Sequence, residues 1–421
     1  MARALYDRAR VARNAQRIES INMPAFDLDL IGRKTPLFVK DFADAQPAMS
    51  AFFDGARILV VGGAGSIGQE VVKLLARYNV SALHVVDISE NNLTELTRDF
   101  RSSIGYIDGE TKFLPLDANH HAFDAYLDAQ EPFDIVLNFS ALKHVRSEKD
   151  PWSLMRMTET NVMIAKKLLD YADRVSAKKY FCVSTDKAQN PANLMGASKR
   201  VMECFLSTGE HRKGSAPVST ARFANVAFSD GSLLYGFQRR LEKRQPLAAP
   251  SDIRRYFVSG EEAGQLCLFS IAMGNDQEIF FPRLDEEKET ESFANVARKF
   301  LKARNIEPME CANEDEARAA VETCGAHKWP CLFFESDTTG EKPMEEFFAD
   351  KDDIDWDRFE DLGVIRGIPT ADKETLDLFE KRLAEMKEKG AWEKQALTTA
   401  IEDVLPDFTH EDKGKYLDEK M

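Results

Sequence analysis

Cysteine is scarce in this chain of 421 residues: six thiols, at 182, 204, 267, 311, 324 and 331, with no Cys-x-x-Cys pair among them. That spacing argues against a zinc or disulfide framework and predicts reduced thiols in a reducing compartment, the cytoplasm. Histidine is sparse as well, and its seven positions show no ligand spacing, so no metal is expected. The adjacent His120 and His121 read as two side chains pointing different ways on a surface loop. Long apolar runs are missing: none approaches the ~18 residues of a membrane helix, and no membrane association is expected. The Arg-rich start, Met1 to Arg17, lacks the apolar centre of a secretory signal and reads as an exposed helix packing on a neighbour. Basic residues are in deficit too. Lys and Arg number 56 against 71 Asp and Glu, a net charge of −15, which makes nucleic acid an unsuitable partner.

That charge is unevenly spread. Met344 to Met421 carries 23 acids and 12 bases, a net −11. Within it Leu376, Phe379, Leu383 and Met386 recur every three or four residues, and Leu397, Ile401 and Leu405 continue the pattern. The spacing predicts two amphipathic helices with solvated charged faces, docked on the chain's own body or on a second subunit. Residues 348–421 therefore read as an acidic helical extension and 1–52 as a helical arm. With 43% apolar residues, the length suits a large core in two or more lobes.

The strongest local signal is a strand, a glycine turn and a helix in that order. Arg57 to Val61 has the pattern of a short buried strand, Gly62-Gly63-Ala64-Gly65-Ser66-Ile67-Gly68 follows at once, and Val71, Val72, Leu74 and Leu75 begin a helical run. Such glycines allow a tight turn and a close backbone approach to a pyrophosphate, while free N–H groups at the helix start hold the anion. A second strand, Leu83 to Asp87, ends in a carboxylate nineteen positions after Gly68, where the ribose hydroxyls of NAD would be met. Asp87 would repel a 2′-phosphate, so NAD is expected over NADP. Further strands are read at 113–117, 134–139, 180–183 and 218–223, with room for crossover helices between them. Strands alternating with helices imply an α/β fold, a Rossmann-like doubly wound parallel sheet. It would occupy 53–230 with a return segment at 252–276, leaving 231–347 mainly as a smaller substrate-binding lobe. Gly62, Gly65, Ser66, Ile67 and Gly68 form the expected cofactor turn. Asp87, Asp117 and Ala118 close the second and third strands, and Ser140 and Ala141 follow the fourth. Asp117 could meet the adenine amino group or simply cap its strand.

Residues 183–199 carry the chemistry. In short-chain dehydrogenases a strand ends in Ser or Thr and a Tyr-x-x-x-Lys pair follows on a helix. Here Thr185 and Lys199 match, but the tyrosine position is Met195, which has no proton to exchange. Asp186 and Lys187 are the obvious substitutes, since a carboxyl and an amine can move protons on a bound sugar.

The wider set of motifs is similar to that of bacterial nucleotide-sugar 4,6-dehydratases, extended short-chain dehydrogenases that act on UDP-N-acetylglucosamine. It comprises Gly62 to Gly68, Ser140 to Val145, Asn161-Val162, Ser184 to Lys187, Asn190-Pro191, Met195 to Arg200, Arg222 to Val226, Arg255-Tyr256-Phe257 and Gly340-Glu341-Lys342. The resemblance covers about residues 28–347. Departures are Ser140 for alanine, Met163-Ile164 for Gly-Thr, Ala224 for glycine, and an acidic stretch from Arg283 to Trp329 in place of a short connection.

What the resemblance implies is a soluble, homo-oligomeric enzyme that serves surface-glycan or nonulosonic-acid synthesis. Hydride leaves the sugar C4 for NAD, water departs from C5 and C6, and the hydride returns to C6. Lys187 is the implied base at C5 and Asp186 the acid at the C6 hydroxyl, which requires an amine far below its reference value of ~10.4. Thr185 would bond the C4 oxygen and pass its proton on, and Lys199 would grip the nicotinamide ribose. Lys143, Met195, Asn225, Ser232, Arg255 and Glu341 are the candidate substrate contacts. Arg255 suits a phosphate through its planar fork, or pairs with Glu261 or Glu262. Alternative functions are a 4-epimerase or dehydrogenase, which normally need the missing tyrosine, and a non-catalytic NAD-binding regulator.

Overall fold

A computed structural model describes residues 28–207, 216–336 and 344–410. Six strands form where the short apolar runs lie: β1 (Arg57–Val61), β2 (Ala82–Asp87), β3 (Glu110–Pro115), β4 (Ile135–Asn138), β5 (Lys179–Val183) and β6 (Val218–Ala221). After them come β7 (Asn225–Val226), β8 (Leu247–Pro250), β9 (Arg254–Val258), β10 (Glu278–Pro282) and β11 (Thr290–Ser292). The last are β12 (Glu307–Glu310), β13 (Lys328–Phe334), β14 (Ile354–Asp355) and β15 (Leu362–Arg366).

The main sheet runs β3-β2-β1-β4-β5-β6-β10-β15-β14, and its first seven strands are parallel. Order reverses between β1 and β4. In such sheets that reversal opens a crevice at the carboxyl ends of the strands, where ligands bind. Alternate residues of β1 feed two cores, because successive side chains of a strand point to opposite faces. Ile58 and Val60 pack on one side, Leu59 and Val61 on the other.

The first seven helices are α1 (Val39–Phe53), α2 (Gly68–Leu75), α3 (Glu90–Ser103), α4 (His121–Asp128), α5 (Pro151–Thr158), α6 (Ile164–Arg174) and α7 (Leu194–Leu206). They are followed by α8 (Leu233–Glu242), α9 (Gly260–Met273), α10 (Phe293–Lys302) and α11 (Glu314–Thr323). One layer of the sheet is covered by α1, α2, α3 and α9, the other by α4, α6 and α7. Arg33 fastens the segment before α1 to the start of α9, donating to both oxygens of Glu262 at 2.9 and 2.5 Å.

Two expectations need correction. The extension from 348 is not helical at once, because β14 and β15 first add an antiparallel edge to the sheet, Val364 opposite Phe280. Charge counting hid this strand; Leu362 and Val364 are fully buried in the core. The two predicted helices then follow as α12 (Lys373–Lys389) and α13 (Lys394–Val404). They dock on the chain's own body: Leu376, Phe379, Leu383, Leu397 and Ile401 share one apolar cluster with Leu154, Val201 and Phe205. The second correction concerns His120, whose ring accepts the Ala122 N–H at 3.2 Å and lies 4.0 Å from that of His121, so the pair does not point apart.

The acidic insertion is a small α/β unit. Strands β12, β13 and β8 pair in parallel, backed by α10 and α11 through Val296, Phe300, Leu301 and Val321. The six cysteines are free thiols. Among the described residues no helix is long and apolar enough to cross a membrane, and no cluster of His, Cys, Asp or Glu could hold a metal. The Arg-rich start and Glu341 lie outside the described residues.

Candidate active site

Gly62 turns the chain at the end of β1 with φ of +74°, a left-handed conformation that favours glycine. A Cβ there would sit 2.5 Å from Ser140 N, and one on Gly68 would sit 2.3 Å from the Gly62 carbonyl. Both positions are therefore closed to any side chain, and the turn is forced against β4 and α2. Gly65 differs: its Cβ would meet one atom, Gly62 O at 3.5 Å, so that flank of the turn is open. The open flank, with the α2 start beneath it, is a cradle of the shape a pyrophosphate needs. Ser66 faces out of the turn and accepts the Asp230 N–H at 2.9 Å, while Ile67 precedes the first turn of α2.

Asp87 closes β2 beside this cradle. Its carboxylate accepts the Ala64 N–H at 3.0 Å and the Ser89 N–H at 2.9 Å, which ties strand end, glycine turn and next loop together. Asp117 lies just beyond β3, accepts the Asn119 N–H at 2.9 Å and stands 3.6 Å from Arg156, the capping alternative. The Ala118 carbonyl takes Lys167 at 2.8 Å. Ser140 bonds back to Asn138 at 3.0 Å and leaves Ala141 exposed at the cleft.

At the end of β5 the three catalytic candidates form a chain of contacts. Thr185 Oγ1 donates to Asp186 Oδ1 at 2.8 Å, and Lys187 Nζ lies 3.2 and 3.1 Å from the two oxygens of Asp186. Asp186 is buried and Lys187 is about one-third exposed, so the acid is the inner and the amine the outer member.

Beneath them is a buried ion pair. Arg222, at the end of β6, grips both oxygens of Glu203 on α7 at 2.9 and 2.7 Å and donates to Gln189 and to the Phe347 carbonyl. Burial pushes the Glu203 carboxyl up, but Arg222 outweighs it and holds the group below its ordinary pKa. Ser184 also donates to Glu203, at 2.7 Å, so the strand end carrying Thr185 is fixed from below. Asn161 ties the loop after β4 to α7. It sits in a one-turn π-helix, Glu159–Met163, and bonds Leu142 through both N–H and carbonyl and Ser198 through its hydroxyl. Such turns recur at functional sites.

Several expected contacts are placed elsewhere. Lys199 points inward: its ammonium donates to the Val183 carbonyl at 3.1 Å, and burial pushes its pKa down against Cys182 and Glu203. Met195 is 4% exposed in the apolar cluster shared with α12 and α13, a packing position and not a cleft surface. Ser232 caps α8 by accepting the Tyr235 N–H at 3.1 Å, so its hydroxyl is engaged by the helix. Lys143 reaches across the cleft to Ser229 at 3.2 Å. Arg255 pairs neither with Glu261 nor with Glu262, which holds Arg33; its Nε stands 3.5 Å from Glu345.

Glu345 was not among the residues singled out from sequence. Its side chain is 3% exposed and accepts from Asn225 Nδ2 and from the Tyr256 N–H at 3.0 Å. Burial and the nearby Asp186 push its carboxyl up to about 7, against Lys187 and Arg255. The available signal was an acid pair, Glu345-Glu346, wedged between Met344 and Phe347-Phe348 directly after the Gly-Glu-Lys segment. Beside it lies a cavity of about 660 Å³, lined by Tyr256, Phe281, Arg283, Phe348 and Trp356.

The chain is similar to several known proteins. A stretch of 240 residues, 56% of the chain, is 33% identical to an uncharacterized membrane protein of Methanocaldococcus jannaschii and covers 69% of it. A UDP-N-acetylglucosamine 4,6-dehydratase (inverting) of Campylobacter jejuni is 28% identical over 245 residues, 56% of this chain and 70% of that one. Among solved structures, Pen from Bacillus thuringiensis shares the fold with a TM-score of 0.59 at 20% identity, covering 75% of this chain and 88% of that one. The family described as polysaccharide biosynthesis protein matches residues 58–366, from the first core strand to the edge strand β15, and the chain belongs to that family.

Proposed function

We propose that the protein is an NAD-dependent nucleotide-sugar 4,6-dehydratase that converts UDP-N-acetylglucosamine to a UDP-4-keto-6-deoxy-N-acetylhexosamine for surface-glycan or nonulosonic-acid synthesis. The observation that carries this reading is the contact chain Thr185–Asp186–Lys187 at the end of β5, next to a glycine cradle and with a proton-free Met195 in place of an acid. The Campylobacter dehydratase supports the reaction class.

The cradle fits NAD. Gly62 and Gly68 admit no side chain, Gly65 leaves space, and Asp87 sets a carboxylate at the strand end, unfavourable to a 2′-phosphate. Bound in this cradle, NAD would supply the hydride chemistry, as acceptor at sugar C4 and donor at C6. The protein's own groups move the protons. Thr185, already donating to Asp186, takes the C4 hydroxyl proton as it passes its own to the carboxylate. Lys187, in its amine form, removes the C5 proton, and Asp186 delivers its proton to the C6 hydroxyl, which leaves as water. Lys187 then returns its proton to C5, and the only net loss is one water. Lys199 contributes positive charge beneath the strand end through Val183. Free thiols, five of them buried, suit a cytoplasmic setting, and the assembly is proposed as a homo-oligomer.

Purified protein incubated with UDP-, dTDP- and GDP-sugars should yield a product lighter by one water from one of them. A product of unchanged mass would point to a 4-epimerase on the same scaffold and overturn the dehydratase. In Asp186→Asn the C4 proton loses its acceptor and the C6 hydroxyl its acid, so nicotinamide absorbance should rise little on adding the sugar nucleotide and turnover should slow ~10²–10⁴-fold. An Asp186→Asn protein turning over at the original rate removes Asp186 from the mechanism.

A further inference from the structure

Both ends of the catalytic run are fastened to one buried ion pair. Ser184, directly before Thr185, donates its hydroxyl to Glu203 Oε1 at 2.7 Å, and Gln189, just past Lys187, accepts from Arg222 Nη1 at 3.1 Å. Glu203 and Arg222 are themselves joined at two points, 2.9 and 2.7 Å, with side chains 0% and 1% exposed. The contacts close a ring: the chain from Ser184 to Gln189 on one side, carboxylate and guanidinium on the other. The run itself is a single 3-10 turn, Asp186–Ala188, so moving either end moves its side chains. Between the two fastenings it lies directly against α7. A Cβ on Gly196 would stand 2.4 Å from the Lys187 carbonyl, so the helix surface is bare where that backbone crosses it.

Desolvating two charges offsets most of their attraction, so a buried pair adds little stability over apolar side chains of the same size. What it adds here is direction. A guanidinium is a planar fork whose donors leave along fixed lines. In Arg222, Nε and Nη2 go to Glu203 on α7, while Nη1 goes to Gln189 and to the Phe347 carbonyl at 2.7 Å. Glu203 in turn receives Ser184 and, from α7 itself, Arg200 at 3.3 Å. The ends of β5 and β6, helix α7 and the strip at Phe347 therefore meet at one node. Both side chains of the pair are sealed from solvent, so neither touches a bound ligand.

We propose that the Glu203–Arg222 pair is the positioning device of the proton-transfer groups, setting where Thr185, Asp186 and Lys187 stand relative to the sugar. This rests on the nucleotide-sugar reading given above, but not on the choice between dehydration and epimerisation. Catalysis is sensitive to such placement: a shift of about 1 Å costs on the order of 100-fold in rate.

The test uses the full chain with NAD and the sugar nucleotide that the wild type turns over fastest, whether the product is dehydrated or epimerised. Replacing both partners, E203M with R222M, leaves the pair without an orphaned member, so this double variant should melt above R222M alone. Its kcat per folded molecule should fall about 100-fold while KM stays within about threefold, because the pair acts through the reacting groups and not through binding. S184A releases one end of the run alone. It should lower kcat about tenfold in the wild type and add nothing in the double variant. A folded double variant with kcat within about threefold of wild type would overturn the proposal, as would a fall confined to KM. An S184A loss that recurs in full in the double variant overturns it too. Should the double variant fail to fold, S184A and R222K carry the comparison. R222K keeps the charge and loses the fork, and unchanged kcat in both overturns the positioning role. An epimerising wild type whose kcat collapses in the double variant upholds the pair and sinks the dehydratase. A wild type that turns over no sugar nucleotide overturns both.

Discussion

At the level of single residues, burial decides the standing of both Met195 and Glu345. Met195 stands at the position of a catalytic tyrosine, yet it is 4% exposed among apolar side chains of α5, α7 and the tail helices. Met195→Leu, close in volume and equally without a proton, should keep most activity and cost less than about 1.5 kcal/mol. Restoring a tyrosine should instead overpack the cluster and lower the thermal midpoint. A Leu variant as inactive as Lys187→Ala would show that the thioether itself matters. Glu345 is invisible as a catalytic motif and becomes prominent through burial. Its folded-state pKa is raised to about 7, mainly by desolvation, so its contribution to stability is fully present below the ordinary carboxylate value and is lost as pH rises through about 7. Wild-type stability should therefore fall as pH rises from about 4.5 to about 7 and level off above, and E345Q should flatten that slope in denaturant titrations. Equal slopes in the two proteins would mean that the carboxyl ionises without cost.

Among the local elements, the glycine turn separates two functions that sequence merges. Gly68 is closed by the Gly62 carbonyl at 2.3 Å from its would-be Cβ, whereas Gly65 has only an ordinary contact at 3.5 Å. Gly68→Ala should thus lower the melting temperature with or without cofactor. Gly65→Ala should leave the apo protein's melting temperature within a degree or two and weaken NAD binding, because the methyl group enters the cradle alone. Equal effects on stability would remove the distinction. The turn was legible because its strand, glycines and helix are contiguous. The caps were not: Ser232 resembles a ligand residue in sequence, but the start of α8 uses its hydroxyl for the Tyr235 N–H. Serine ahead of a helix satisfies an orphan donor first.

Across the whole molecule, the acidic tail is part of the core and not an appendage. Phe379 on α12 lies 5.9 Å from Phe205 on α7, between ring centres, and both are buried. Phe379→Ala should cost about 3–5 kcal/mol and reduce activity in proportion to the loss of folded protein. A fully folded but inactive Phe379→Ala protein would indicate that the tail shapes the site directly.

Sequence alone determined the features that are local in the chain: the positions of the first six parallel strands, the glycine turn, the Thr185-Asp186-Lys187 run and the two tail helices. Hydrophobic period and turn chemistry are set within a few residues, so they can be read without a fold. Tertiary structure decided which distant groups meet. Asn225 reaches Glu345 across 120 positions, Arg222 reaches Phe347 across 125, and Lys199 turns to Val183. It also folded the stretch from Arg283 to Trp329 into an α/β unit and placed β15 against β10. Such encounters depend on how layers pack and which buried charges must be paired, and those energies arise only once the chain has closed on itself.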